Sequence, residues 1–168
     1  MATMSHLIAD GLLQKSKVLT GEIVQLTDNF SLEELCFSEI ATRKGIANDP
    51  TPDEIENLKI LAQSLERIQK LFGHPIRISS GYRGQKVNAA VGGSSTSAHM
   101  EGYAADFTCP SFGTPLEVCK AIAASDLSFD QLIQEGTWAH LSIDPRMRRE
   151  LLTATFSGGK ATYSVTQP

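Results

Sequence analysis

Residues 94–108 read SSTSAHMEGYAADFT, a stretch in which one histidine, His99, and one aspartate, Asp106, stand on either side of Gly102. Their separation does not fit one face of a helix, where metal-binding histidines stand about one turn apart. Glycine permits a sharp turn, so a chain that turns at Gly102 and returns along a neighbouring strand would bring the two side chains together. The two residues could then belong to one site.

The length and charge of the chain limit the kinds of function it can have. Its 168 residues suit one compact domain, which we place at 26–168, after a loosely ordered arm at 1–25 that shows no firm period. The formal net charge is −4 and no run of lysine or arginine stands out. We therefore expect no nucleic-acid partner. No apolar stretch suggests a membrane span, so we also expect no membrane insertion.

The N-terminus and the cysteines indicate the cellular compartment in which the protein is made. The first residues lack the basic start, apolar stretch and cleavage site of a secretory signal, which predicts a protein made in the cytoplasm. Cys36, Cys109 and Cys119 are odd in number and contain no C-x-x-C pair, which favours buried, reduced thiols over a disulfide framework. Action beyond the inner membrane would then need cell lysis, a pore or a carrying particle.

Helix starts are marked by capping boxes, in which a Ser or Thr and a Glu three residues later satisfy backbone donors reciprocally. The pairs are Ser31 with Glu34, Thr51 with Glu54, and Thr114 with Glu117. From Thr51 to Gly73 the apolar residues recur at helical steps, which predicts a long amphipathic helix that ends at glycine. VNAAV (87–91) and residues 115–124 predict two further helices.

Short strands are predicted between and after these helices. Alternation indicates strands at 75–79, 103–108, 129–133 and 137–143. The tail LTATFS-GGK-ATYSV is typical of a closing hairpin or of an addition to the edge of the sheet. Helices followed by short, mixed strands indicate an α+β domain, with a small mixed or antiparallel sheet and helices packed on it.

A third candidate ligand lies on the predicted strand at 137–143. His140 shares a strand face with Trp138 and is the one histidine downstream of Asp106. Catalytic zinc usually takes three protein ligands and keeps a position open for water, so His99, Asp106 and His140 would form a suitable set. Spacing alone leaves open that each is an ordinary packed or surface residue, because four histidines in 168 residues is an unremarkable number.

Three ordered motifs add to this interpretation. They are SGYR at 80–83, NAAVGGSSTSAHMEGYAADF at 88–107, and WAHLS at 138–142. Together they resemble the zinc D-alanyl-D-alanine carboxypeptidase and murein endopeptidase family, the LAS-type metallopeptidases. The family pattern is roughly SGYRS, N-x-x-V-G-G, S-x-H-x-x-G-x-A-x-D and a later W-x-H. The resemblance covers about the central half of the chain, and many members of the family are bacteriophage lysins.

The resemblance implies a hedgehog/D-Ala-D-Ala-peptidase-like fold and one zinc ion per chain. The zinc ligands that it implies are His99, Asp106 and His140. Arg83 matches the arginine that helps to hold substrate and polarise the scissile carbonyl, and Ser97 matches a serine near the substrate. Of the nearby aromatic residues, we expect Tyr82 to wall the cleft and Trp138 to pack beside the metal strand, both next to bound substrate.

One position departs from the family pattern. Many relatives carry a catalytic Glu or Asp three residues before the last zinc histidine, where this chain has Thr137. Threonine cannot serve as a general base at neutral pH. Glu135, five residues before His140, is the nearest upstream carboxylate, and a subset of phage members has Glu in this place. We therefore expect Glu135 to be the catalytic base, with a solvated turn residue as the alternative.

The function implied is zinc-dependent hydrolysis of a peptide bond in the peptidoglycan stem peptide or cross-bridge, as by a monomeric phage endolysin. Such a protein would stay in the host bacterial cytoplasm until its release to the periplasm and cell wall, or be carried in the virion. Two alternatives stay open. One is a non-catalytic, zinc-stabilised wall-binding or virion structural protein, and the other is a cytoplasmic D-Ala-D-Ala dipeptidase or carboxypeptidase.

Overall fold

The computed structural model describes residues 23–166, which form one six-stranded sheet with helices packed against it. The helices are α1 (Leu32–Cys36), α2 (Glu39–Lys44), α3 (Pro52–Phe72), α4 (Gln85–Ala90), α5 (Pro115–Ala123) and a 3₁₀ helix (Ala98–Glu101). The strands are β1 (Arg77–Ser80), β2 (Ala104–Thr108), β3 (Gln131–Glu135), β4 (Trp138–Ser142), β5 (Glu150–Ser157) and β6 (Lys160–Val165). The predicted α+β class is confirmed.

The predicted N-terminal arm falls largely on residues 1–22, which lie outside the described residues. Among the described residues, contacts with the core begin at Val24. Val24 is buried in the core, and its N–H donates to both carboxylate oxygens of Glu33 at 3.0 and 3.1 Å. Gln25 forms an isolated β-bridge with Ser31, which leads into α1.

The predicted helix starts are present. The hydroxyl of Ser31 accepts from the N–H of Glu34, and the reciprocal capping box is complete at Thr51 and at Thr114. Helix α3 ends at Gly73, which takes the left-handed conformation that glycine adopts without strain. Helix α2 was not predicted, because its six residues carry too short an apolar pattern to indicate a helix, although Ser38 caps its N-terminus.

Helix α3 supplies much of the core. Its buried residues are Ile55, Leu58, Leu61, Ala62, Leu65, Ile68 and Phe72. Leu71, near the end of the same helix, is exposed. Phe72 stacks on Phe112 with ring centroids 4.2 Å apart. Within residues 23–166, no helix is long and apolar enough to cross a bilayer.

The strand order is β1-β2-β4-β3-β5-β6, and every pairing is antiparallel except that of β3 with β5. The predicted strand at 129–133 lies two residues further along the chain, at Gln131–Glu135. A tight turn at Gly136 and Thr137 places Glu135 opposite Trp138 and so sets the register of β3 against β4. Gly136 has a positive φ of 67°, which this two-residue connection requires at its first position.

The two faces of the sheet have different surroundings, because successive side chains along a strand point to opposite sides. One face packs into the same core cluster as α3 and α5, through buried side chains. They are Ala105, Phe107, Leu132, Ala139, Leu141 and Leu151. The other face carries Asp106 and His140, and it forms the floor of a cleft.

Candidate metal centre

The three predicted ligands come from two adjacent strands and one short helix. Asp106 on β2 is the direct cross-strand partner of His140 on β4, so both side chains stand on the same face. His99 lies on the 3₁₀ helix rather than on a strand, and Gly102 turns the chain into β2 with a φ of 75°. A Cβ atom at position 102 would lie 2.7 Å from the carbonyl oxygen of Glu54, so glycine also permits close packing on α3.

The ligand atoms converge closely. His140 Nδ1 lies 2.8 Å from Asp106 Oδ1, and His99 Nε2 lies 3.2 Å from that oxygen and 3.2 Å from His140 Nδ1. His99 is only 1% exposed and Asp106 is 8% exposed. A tetrahedral ion with bonds of about 2.0–2.1 Å holds its ligand atoms about 3.3 Å apart. The separations in this cluster therefore suit a zinc-sized ion.

The proton positions also fit a metal. His99 Nδ1 lies 2.7 Å from the carbonyl oxygen of Gly81, and because a carbonyl only accepts, Nδ1 carries the ring proton. Burial lowers the pKa of His99, although Asp106 opposes the shift, so the neutral ring is favoured and Nε2 presents a lone pair. That lone pair faces the Asp106 carboxylate oxygen, and a bound cation would relieve the repulsion between them.

Arg83 lies beside this cluster. Its Nη2 donates to Asp106 Oδ2 at 3.1 Å, while its Nε is buried without a hydrogen-bond partner in the described residues. Burial lowers the pKa of the guanidinium, although the charges of Asp106 and Glu135 oppose this shift.

The SGYR motif holds the cluster in place through its backbone. Gly81 directs its carbonyl to His99, and a Cβ atom at position 81 would collide with the backbone carbonyl of Leu35. The N–H of Tyr82 donates to that Leu35 carbonyl at 2.7 Å, and the N–H of Arg83 donates to the carbonyl of His99 at 3.0 Å. The motif therefore joins α1, β1 and the 3₁₀ helix around one imidazole.

The prediction that Tyr82 walls the cleft is wrong. Its side chain lies in the core, 5% exposed, and its hydroxyl donates to Glu54 Oε2 at 3.0 Å. The cause is the tight packing of Gly81 on α1, which turns the next side chain inward towards α3. Tyr82 therefore connects the motif to the start of α3 and does not contact the cleft.

A cleft of about 650 Å³ opens above the cluster. One wall is the loop at 92–97, which is rich in glycine and serine and includes Ser97. The opposite wall is the hairpin of β5 and β6. Among the predicted residues, those that line the cleft are Arg83, Ser97, His99, Glu135, Trp138 and His140.

Glu135 points into this cleft from the end of β3. Trp138 Nε1 donates to its Oε2 at 2.9 Å, so Trp138 does more than pack beside the metal strand. Burial raises the pKa of Glu135, as does the charge of Asp106, while His140, Trp138 and Arg83 oppose the rise. Thr137 is exposed on the turn. Glu135 is thus the carboxylate that the hairpin of β3 and β4 brings to the cleft, and it is not a solvated turn residue.

Sequence reasoning missed the hairpin residues on the cleft wall. They are Leu152, Phe156, Ala161 and Tyr163. Strand alternation in the tail could have placed them on one face, but no local signal shows which face turns toward the metal cluster.

A family model described as Peptidase M15 matches residues 28–142, which include all three candidate ligands, Arg83 and Glu135. A search of the curated proteins finds no match. Because the family match spans more than half of the chain, the protein belongs to the Peptidase M15 family of zinc-dependent metallopeptidases.

Proposed function

We propose that the protein is a zinc-dependent peptidase that hydrolyses a peptide bond in the stem peptide or cross-bridge of peptidoglycan. The observation that carries this proposal is the convergence of lone-pair atoms from His99, Asp106 and His140 on the floor of a cleft that also holds a carboxylate, Glu135. A three-ligand site that opens to a cleft is typical of catalytic rather than structural zinc.

The chain would hold the ion through His99 Nε2, His140 Nδ1 and Asp106 Oδ1. When bound, zinc supplies a Lewis acid and lowers the pKa of water at its open position. The carbonyl of Gly81 keeps the proton of His99 on Nδ1, so that Nε2 stays free for the ion. Asp106 contributes one negative charge to an otherwise neutral ligand set.

Glu135 would move the proton. Its raised pKa favours a group that can accept a proton from water and pass it to the leaving amine at neutral pH. The indole of Trp138 holds one carboxylate oxygen, Oε2, and leaves the other for proton transfer. This arrangement supports Glu135 in the place of the base that Thr137 cannot provide.

Arg83 would bind the substrate. One guanidinium nitrogen is held by Asp106, and the group also lines the cleft, where its remaining terminal N–H donors can reach a ligand. A fixed guanidinium stabilises the oxygen of a carbonyl under attack, or anchors a substrate carboxylate. Ser97, on the opposite rim, offers a hydroxyl to the peptide.

The biological setting is also proposed. The resemblance to a family rich in phage lysins supports an endolysin that acts as a monomer and waits in the host cytoplasm until it is released to the wall. The scissile bond would be D-Ala-D-Ala, L-Ala-D-Glu or the cross-bridge to diaminopimelate. A second function, a non-catalytic wall-binding or virion structural protein, is favoured by one observation, the threonine at the usual position of the base.

Metal analysis joined to digestion of peptidoglycan tests these functions. We expect about one zinc per chain, and release of stem-peptide fragments from purified peptidoglycan, detected by mass spectrometry and lost after chelation. The masses of the fragments name the bond. Zinc without cleavage would support the non-catalytic function, and cleavage of free D-Ala-D-Ala but not of peptidoglycan would identify a dipeptidase.

A further inference from the structure

The C-terminal hairpin, β5 with β6, forms one wall of the cleft although it lies outside the segment that matches the family model. The match ends at residue 142, and the hairpin spans 150–165. Strand β5 pairs in parallel with β3, which carries Glu135 at its end. The hairpin therefore extends the sheet face that holds the candidate ligands.

The registers show how far this face extends. His140 is paired with Ile133, Ile133 with Leu152, and Leu152 with Val165, so one row of side chains runs from the ligands to the edge strand. A second row on the same face passes through Glu135. The last pair of β3 with β5 is Gln134 with Thr153, so the next residues along the two parallel strands, Glu135 and Ala154, lie side by side.

Tyr163 follows in that second row. It is the direct cross-strand partner of Ala154, so along this row one alanine stands between Tyr163 and Glu135. Burial raises the pKa of the Tyr163 phenol, and the charges of Glu135 and Asp106 raise it further.

The two walls of the cleft differ in chemistry. Leu152, Phe156, Ala161 and Tyr163 make the hairpin wall apolar and aromatic, with Phe156 54% and Tyr163 55% exposed. The facing loop is built from glycine, serine and threonine. A peptide bound between them would place apolar side chains on the hairpin and its backbone polar groups on the loop, while Arg146 and Arg148 also line the cleft.

We propose that the hairpin wall is a subsite for the alanine methyl groups of a peptidoglycan stem peptide, with Tyr163 as the specificity-determining residue that positions the peptide beside Glu135. This inference rests on the proposed function, since it names the part of the substrate that the cleft recognises. It predicts that the loss of the Tyr163 ring weakens substrate binding and leaves the metal cluster intact.

Binding can be measured without catalysis. The chain has one tryptophan, Trp138, and it lines the cleft, so its fluorescence reports binding of a synthetic alanine-containing stem peptide to the zinc-free protein. We expect Tyr163→Ala to weaken binding about tenfold, which is about 1.4 kcal/mol. Tyr163→Phe, which keeps the ring, should stay within about threefold of the parent protein.

The matched control is Ser164→Ala, on the opposite face of the same strand, which should bind the peptide as the parent protein does. A peptide with glycine in place of alanine should bind the parent protein less well, and this loss should shrink in Tyr163→Ala. Equal affinity of the Tyr163→Ala and parent proteins, or no binding of the peptide by the parent, would overturn the inference.

Kinetics separate this inference from the proposed function. If the parent protein binds the stem peptide through Tyr163 but releases no fragments, the peptidase proposal fails and the subsite stands. If the parent protein cleaves peptidoglycan peptides and Tyr163→Ala has an unchanged KM, the subsite is wrong and the peptidase stands. We expect a raised KM with a smaller change in kcat.

Discussion

Asp106 and His140 are direct partners across two antiparallel strands, and His140 Nδ1 lies 2.8 Å from Asp106 Oδ1. This pairing places a carboxylate and an imidazole on one face by backbone hydrogen bonds alone. His99 then needs only a turn and a fixed ring orientation to complete the set, and Gly102 and Gly81 supply them.

Replacement of His99 should remove the metal. In His99→Ala one of three ligands is lost, so we expect zinc content near zero and no release of peptide fragments. Elemental analysis of the purified protein measures this directly. His74→Ala is the control, because His74 is exposed and outside the cluster. A normal zinc content in His99→Ala would contradict the assignment.

Replacement of Glu135 should stop proton transfer while the ion stays bound. Glu135→Gln keeps the size of the side chain and can still accept from Trp138, but it cannot take up a proton as a carboxylate does. We expect normal zinc content and a fall in kcat of about 100- to 10,000-fold. Thr137→Ala should match the parent enzyme, and a loss of activity there instead would make the turn threonine the functional residue.

Gly81→Ala should weaken zinc binding, although Gly81 is not itself a ligand. The added Cβ would collide with the Leu35 carbonyl and displace the Gly81 carbonyl from His99. We expect zinc affinity, measured by competition with a chelator, to fall about 10- to 100-fold. Unfolding in urea should show a loss of about 1–3 kcal/mol.

The control for this change is Gly84→Ala in the same loop. A Cβ there would meet its nearest neighbour, Asn48 Oδ1, at 3.4 Å, which needs little adjustment. Equal zinc affinity in Gly81→Ala and Gly84→Ala would mean that the Gly81 carbonyl does not orient the histidine.

Asp130 should make stability depend on pH. Its side chain is fully buried and accepts from Nε and Nη2 of Arg148 at 2.9 and 2.7 Å. Burial alone would raise the pKa of Asp130, but the Arg148 hydrogen bonds and charge lower it overall. Because the folded pKa lies below the unfolded value of about 3.9, the stabilisation is present above that pH and is lost as pH falls through the folded pKa.

We therefore expect Asp130→Asn to lower the free energy of unfolding by about 1.5–3 kcal/mol at neutral pH, and by less as the pH falls below about 4. Urea unfolding at several pH values measures both. Asp126→Asn, at an exposed position 3.8 Å from Arg67, should change stability by less than about 1 kcal/mol. A loss in Asp130→Asn that stays constant with pH would show that charge is not its cause.

Local signals in the sequence predicted much of the fold. Capping boxes, apolar steps and a terminal glycine act within a few residues, and for this reason the start and end of α3 agree with the prediction. Strand boundaries were less accurate, since the β3 register depends on the turn at Gly136 and on the partner strand. Helix α2 is too short to carry a period, and its existence depends on contacts with the rest of the domain.

By itself, the sequence determined the chemical identity of the site: one aspartate and two histidines in ordered motifs, with a carboxylate at 135 and a threonine at 137. Only the tertiary structure decided that Tyr82 turns into the core, that Trp138 holds Glu135, and that the C-terminal hairpin walls the cleft. The physical reason is that side-chain type and spacing are properties of the chain. The direction of a side chain, by contrast, depends on strand register and on close backbone packing between distant segments.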